Sequence, residues 1–144
     1  MLLRYLGIDY GQKRIGLSYA DELRLASPLK AAVQASLELR IQYIGELIQR
    51  YRIQALVVGY PYHLDGSSGK ATEAVDDFIT VLKEQFQLPV YTVDERLTSY
   101  AAQQFKKGPK GLKKQLAYRK TGNLDSQAAT LILQDFLDQA EHSA

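Results

Sequence analysis

The sequence contains no cysteine. Disulfides, thiolate nucleophiles and cysteine-ligated zinc are therefore excluded. Histidine is almost as scarce, with two residues in 144. A histidine-rich metal site is not expected, and any metal must be held by oxygen ligands, the donor type that suits Mg²⁺ or Mn²⁺. No apolar run approaches the roughly 20 residues needed to cross a bilayer. The opening MLLRYLGIDYG turns polar too soon for a signal peptide, so no membrane association is expected. Internal repeats, low-complexity stretches and interdomain linkers are missing as well. With 144 residues, 46% hydrophobic and 24% charged, the chain has the size and composition of one soluble globular domain, residues 1–144.

Charge is present but unevenly spread. Residues 106–120 read KKGPKGLKKQLAYRK and hold Lys106, Lys107, Lys110, Lys113, Lys114, Arg119 and Lys120, seven cations and no acid. The whole chain is only +2, so the remainder carries −5. That is a local anion-binding surface on an otherwise acidic protein. Nucleic acid is the leading anion, and a solvated loop is the bland alternative. Gly108-Pro109 and Gly111 suit a segment that is mobile when empty and orders on binding.

Hydrophobic patterning predicts the elements. Residues 3–9 form an apolar stretch that ends at Asp9 before the turn signal Tyr10-Gly11, as in a buried first strand. Residues 14–20 predict a second strand, close enough for an antiparallel hairpin. A third is expected within 24–33, with Pro28 marking a break or an edge. Leu37, Ile41, Ile44 and Ile48 fall on one stripe of a helix over 36–51, and Ser36 is a suitable N-cap. Residues 55–59, ALVVG, are a continuous apolar run, as in a buried strand. After the turn-rich residues 60–70, Val75, Phe78, Ile79, Leu82 and Phe86 share one face of a helix over 71–86. Pro89 introduces a strand over 90–95. A short helix is expected near Thr98 and a last helix over 124–140. Three strands, helix, strand, helix, strand, helix implies an α/β fold. Its mixed sheet has five strands, three antiparallel and then two parallel, flanked by helices.

Three acids occupy telling places in that scheme. Asp9 ends the first strand, Glu95 ends the strand 90–95, and Asp125 lies in the first turn of the last helix, on the face of Ala128, Ala129, Ile132 and Phe136. Open α/β sheets bind ligands at the carboxyl ends of their strands. Three carboxylates gathered there repel one another and stay ionised together only with a cation between them. Each also has an ordinary structural use: Asp9 as a turn former, Glu95 in a surface cluster with Asp94 and Arg96, Asp125 as a helix cap or dipole partner. Their shared placement, rather than any one of them, favours a metal site.

The chain resembles the YqgF-type family, described both as Holliday junction resolvases and as nucleases for the precursor of small-subunit ribosomal RNA. Four blocks carry the resemblance over nearly the whole chain: Leu6-Gly-Ile-Asp-Tyr-Gly-Gln-Lys-Arg-Ile-Gly16; Val57-Val-Gly-Tyr-Pro61 with Asp65-Gly66-Ser67; Asp94-Glu-Arg-Leu-Thr98; and Asp125-Ser-Gln-Ala-Ala129. It implies a ribonuclease H-like fold and divalent-metal nuclease chemistry, with Asp9, Glu95 and Asp125 as the catalytic and metal-binding acids. It further implies a role in ribosome biogenesis in the bacterial cytoplasm. Lys13 and Arg14 match the family's basic pair after the first strand, and Arg96 and Thr98 match positions of its third block. Tyr60, Tyr62 and His63 depart from the usual pattern. The tyrosines fit either base stacking or local packing under the Asp65-Gly66 turn, and the packing is favoured; His63 reads as a surface residue rather than a proton carrier. No clear fourth carboxylate is present, Asp94 and Asp65 being weak candidates, and the number of metal ions stays open.

On this reading Lys13, Arg14 and Arg96 steady phosphate oxygens, and the basic segment 106–120 follows the nucleic-acid backbone. RNA is the favoured partner and branched DNA the alternative. The protein is expected to be a monomer or weak homodimer, since no stretch identifies a dimer face. Two competitors come from other classes. Asp9–Gly16 resembles the first phosphate loop of actin-type and sugar-kinase ATPases, but those enzymes close two such domains around nucleotide. A non-catalytic nucleic-acid-binding domain is the other, and the intact acid trio counts against it.

Overall fold

A computed structural model describes residues 3–61, 70–95 and 126–143. Its five strands are β1 (Tyr5–Asp9), β2 (Ile15–Ala20), β3 (Ser27–Ala32), β4 (Ala55–Tyr60) and β5 (Val90–Asp94), arranged in the order β3-β2-β1-β4-β5. The first three strands pair antiparallel, while β1–β4 and β4–β5 pair parallel. This is the mixed sheet that the element order implies. Pro28 lies in the edge strand β3, where its missing N–H costs least. Residues 55–59 are buried throughout, because β4 lies between β1 and β5 and is covered on both faces. The described helices are α1 (Leu37–Arg50), α2 (Lys70–Phe86) and α3 (Gln127–Ser143).

Two hydrophobic clusters sandwich the sheet. Leu6, Ile8, Leu17, Leu56 and Val58 pack with Ile41, Ile44 and Leu47 of α1 and with Val75, Phe78 and Leu82 of α2. On the other face Ala20, Val57 and Val93 pack with Ile132, Leu133 and Leu137 of α3. Ser36 caps α1, its hydroxyl accepting the Leu39 N–H at 3.2 Å. One residue of the expected stripe is misplaced. Leu37 is exposed and Leu47 is buried in its stead, because Leu37 opens the helix a full turn before burial begins at Arg40 and Ile41. The short helix expected near Thr98 and residues 124 and 125 of the last helix lie outside the described residues.

Helix α3 is held unusually close to the sheet. A Cβ on Gly7 would stand 2.7 Å from Leu133 Cβ and 2.9 Å from the Ala129 carbonyl oxygen, so only glycine admits the helix here. Two buried serines secure its start. Ser18 Oγ donates to the Ala129 carbonyl at 2.7 Å. Ser126 acts where the β2–β3 register slips by one residue, between the pairs Ile15–Ala32 and Leu17–Leu29. Its hydroxyl accepts the Leu17 N–H at 3.1 Å and donates to the Leu29 carbonyl at 2.5 Å. One side chain thus replaces the ladder bond that the slip removes. Ser126→Ala leaves a buried donor and an acceptor unpaired and is expected to cost about 2 kcal/mol in urea-induced unfolding. A loss under about 0.5 kcal/mol would mean that the two strands pair without the hydroxyl.

Candidate active site

The parallel strands β1, β4 and β5 end at the same edge of the sheet, where such folds bind ligands. Alternation along each strand places Asp9 with Gly7, Gly59 with Val57, and Glu95 with Val93, all on the α3 side. Asp9 is the last residue of β1, and Glu95 is the residue immediately after β5. Their strands are separated by β4, and two strand spacings make roughly 10 Å. The carboxylates nevertheless meet. The Glu95 side chain folds back over β4 at Gly59, where a Cβ would stand 2.5 Å from Glu95 Oε1 and 2.5 Å from Ile132 Cδ1. Asp9 and Glu95 then share a hydrogen bond.

Electrostatics follow from that contact. Burial first, then the charge of Glu95 and the hydrogen bond to it, together raise the Asp9 carboxyl to about 8. Glu95 is also raised, by burial first; the hydrogen bond from Asp9 works the other way, and neighbouring Asp94 adds to the rise. Both carboxyls are therefore shifted toward the protonated form, since two buried acids in contact resist being ionised together. A proton is one cation that relieves their repulsion. A hard divalent ion is a better one, since it is ligated by several oxygens at once. The carboxylates line a cavity of about 350 Å³ together with Tyr10, Gly11, Gln12, Gly59, Pro61, Ala74 and Val75. That leaves space for further oxygen ligands, so the residues present fit such an ion.

Asp9 and Glu95 are thus brought together. Asp125, Arg96, Lys106, Lys107, Lys110, Lys113, Lys114, Arg119 and Lys120 lie outside the described residues, as do Asp65, Tyr62 and His63. Among the described residues no group of three or more acids, histidines or cysteines is assembled. Lys13 and Arg14 are exposed in the turn after Asp9. Tyr60 is half-buried against the core, and its hydroxyl donates to Asp76 at 2.8 Å; the Asp65-Gly66 turn, under which packing was expected, lies outside the described residues.

Two residues that shape the site escaped the sequence reading. Gly59 is one, although a glycine closing an apolar strand is a signal of close approach. Arg40 is the other. It is buried in α1, and its guanidinium donates to the Gln34 carbonyl at 2.5 Å and to the Gln12 carbonyl at 3.1 Å. Arg40 thereby ties the turn after Asp9 to α1. On a helical wheel it reads only as one more surface cation.

A 3-2-1-4-5 sheet with acids at the ends of β1 and β5 defines a ribonuclease H-like domain. Two solved structures share the architecture. RuvC of *T. thermophilus*, solved in complex with a Holliday junction substrate, matches with a TM-score of 0.51 at 19% identity, over 99% of this chain and 98% of that one. The yeast mitochondrial Holliday junction resolvase Ydc2 matches with a TM-score of 0.53 at 16% identity, over 96% and 80%. The family model RuvX, described as "Holliday junction resolvase", matches residues 3–139, and the chain belongs to this family. A relative from *Opitutus terrae*, named "Putative pre-16S rRNA nuclease", is 46% identical over 138 residues, covering 95% of this chain and 92% of its own length.

Proposed function

We propose that this chain is a divalent-metal-dependent endonuclease that hydrolyses phosphodiester bonds of nucleic acid, and that its reaction is maturation of the pre-16S rRNA 5′ end in the cytoplasm. The contact between Asp9 and Glu95 carries the reading. Two acids folded together at a ligand-binding edge, at the expense of a proton held far from its ordinary range, fit a cation site better than a structural one. Family membership and the name of the *Opitutus* relative support the nuclease and the RNA substrate. No described helix is long and apolar enough to cross a membrane.

In this scheme Asp9, Glu95 and Asp125 would hold Mg²⁺ or Mn²⁺. When bound, the ion supplies the positive charge that activates the attacking water and steadies the leaving oxygen. The chain does the rest. Asp9 and Glu95 would hold the ion as ionised carboxylates, its charge replacing a proton in offsetting their repulsion. Gly59 keeps the path between them clear. Lys13 and Arg14, exposed beside Asp9, bind phosphate oxygens together with Arg96. Lys106, Lys107, Lys110, Lys113, Lys114, Arg119 and Lys120 follow the backbone of the strand, as a monomer or weak homodimer engages it.

Branched DNA is the second reading, supported by the family's description. One experiment addresses both: cleavage of a pre-16S 5′ fragment and of a four-way DNA junction, side by side, in Mg²⁺ and in EDTA. Cleavage of the RNA alone, abolished by EDTA, is expected. Cleavage that persists in EDTA would refute the metal-dependent mechanism, and cleavage of the junction alone would move the substrate to DNA.

A further inference from the structure

We propose that the cavity beside the carboxylates is a nucleobase subsite, so that the substrate must be unpaired next to the bond it loses. This rests on the nuclease reading above and names the substrate form which that site takes. The cavity, about 350 Å³, is of a size that binds small organic groups. Asp9 and Glu95 occupy one end. Tyr10, Pro61, Ala74 and Val75 supply an apolar wall, and Gln12 supplies a neutral amide.

Among the described residues this wall presents no charged side chain to a phosphate, which calls for Arg, Lys or backbone N–H groups. It is right for a flat ring with a polar edge. Tyr10 is braced for the purpose: its ring lies against Phe78 with centroids 4.5 Å apart and planes tilted 31°, and it remains half-buried. Gln12 is held through its carbonyl by Arg40 at 3.1 Å, while the residue is exposed and lines the cavity. A side-chain amide offers both donors and an acceptor, so it meets the edge of any base and confers little preference among the four. A base inside a duplex is paired and stacked and cannot enter without being flipped out. A base in a loop or single strand is splayed readily. Because one sugar joins base to phosphate, a base seated here carries its own phosphate toward the acids.

The test uses a single-stranded RNA oligonucleotide, the same strand with one abasic residue walked along it, and its blunt duplex, all in Mg²⁺. Cleavage at the bond next to the abasic residue is expected to fall about ten- to a hundredfold, and the duplex to fall at least as far. Ala74→Phe, a change at a half-buried wall position, is expected to lower cleavage of the intact strand by a similar factor. It should lower cleavage next to the abasic residue far less than cleavage of the intact strand, since no base is there to exclude. Equal cleavage of intact, abasic and duplex substrates would overturn the subsite and leave the nuclease standing. If the wild type cut nothing, the nuclease reading would fall, and binding would judge the subsite. Asp9→Asn protein should then change the emission of a strand carrying 2-aminopurine, and Asp9→Asn/Ala74→Phe should not. Emission unaffected by either protein would overturn the proposal.

Discussion

Asp9→Asn is expected to abolish metal-dependent cleavage and, without metal, to make the protein more stable than the wild type above pH 7. The first effect follows from removing a charged ligand at the reacting centre. Electrostatic help of several kcal/mol at roughly 1.4 kcal/mol per factor of ten predicts a loss of about a thousandfold or more. The second follows from linkage. Asp9 has an ordinary carboxyl value of 3.8 and is pushed up to about 8 in the folded protein. A raised carboxyl stabilises the fold fully only below its unfolded value. As pH climbs from about 4 to about 8, the unfolded chain has released the proton and the folded chain has not, so stability falls by up to about 1.4 kcal/mol for each pH unit. Asparagine reproduces the protonated carboxyl, a neutral side chain with a donor for Glu95, and it does not titrate. Thermal unfolding in EDTA should therefore show the wild type melting lower at pH 8.5 than at pH 6, and Asp9→Asn melting higher than the wild type at pH 8.5. Added Mg²⁺ should rescue the wild type and leave the variant unmoved. A variant less stable than the wild type at pH 8.5 in EDTA would show that Asp9 is not shifted toward the protonated form.

Gly59→Ala is expected to lower activity about a hundredfold while leaving the protein folded. Its Cβ would stand 2.5 Å from Glu95 Oε1 and 3.1 Å from Glu95 Cγ. Ile132 Cδ1, also at 2.5 Å, belongs to the packed α3 face and yields little. The Glu95 carboxylate is the far end of a flexible side chain and moves first, away from Asp9. A displacement of about 1 Å at a reacting centre costs on the order of a hundredfold, whereas one surplus methyl in a packed region costs about 1–3 kcal/mol of stability. The variant carries its own check. With Glu95 displaced, Asp9 loses both the opposing charge and the hydrogen bond that help to raise it. The metal-free stability of Gly59→Ala should consequently depend less steeply on pH than that of the wild type. Full activity in Gly59→Ala would mean that Glu95 reaches Asp9 by a route that avoids β4.

The elements were legible because the interactions that make them are short. Ile41 and Ile44 one turn apart, Ser36 three residues ahead of Leu39, and the apolar run 55–59 each declare a helix face, a cap or a buried strand within a few neighbours. Element order then implied the mixed sheet, since a tight turn forces β1 and β2 antiparallel and a helix crossover returns β4 parallel to β1. The acids at the ends of β1 and β5 were legible for the same reason: their positions follow from where strands stop. Leu37 was misread because periodicity marks a stripe without saying which turn of the helix the sheet reaches.

Residue identity along the chain thus established the elements, their order, and Asp9 and Glu95 as acids at strand ends. It was silent on three contacts: the Glu95 side chain crossing β4 at Gly59, the Ser126 hydroxyl filling the slipped register between Leu17 and Leu29, and the Arg40 guanidinium holding the Gln12 carbonyl. Each joins groups remote in sequence, and each depends on distances of a few ångströms set by how strands and helices stack. Periodicity encodes which way a side chain faces. What it meets there, and whether an acid is held toward its protonated form as a result, is fixed by packing.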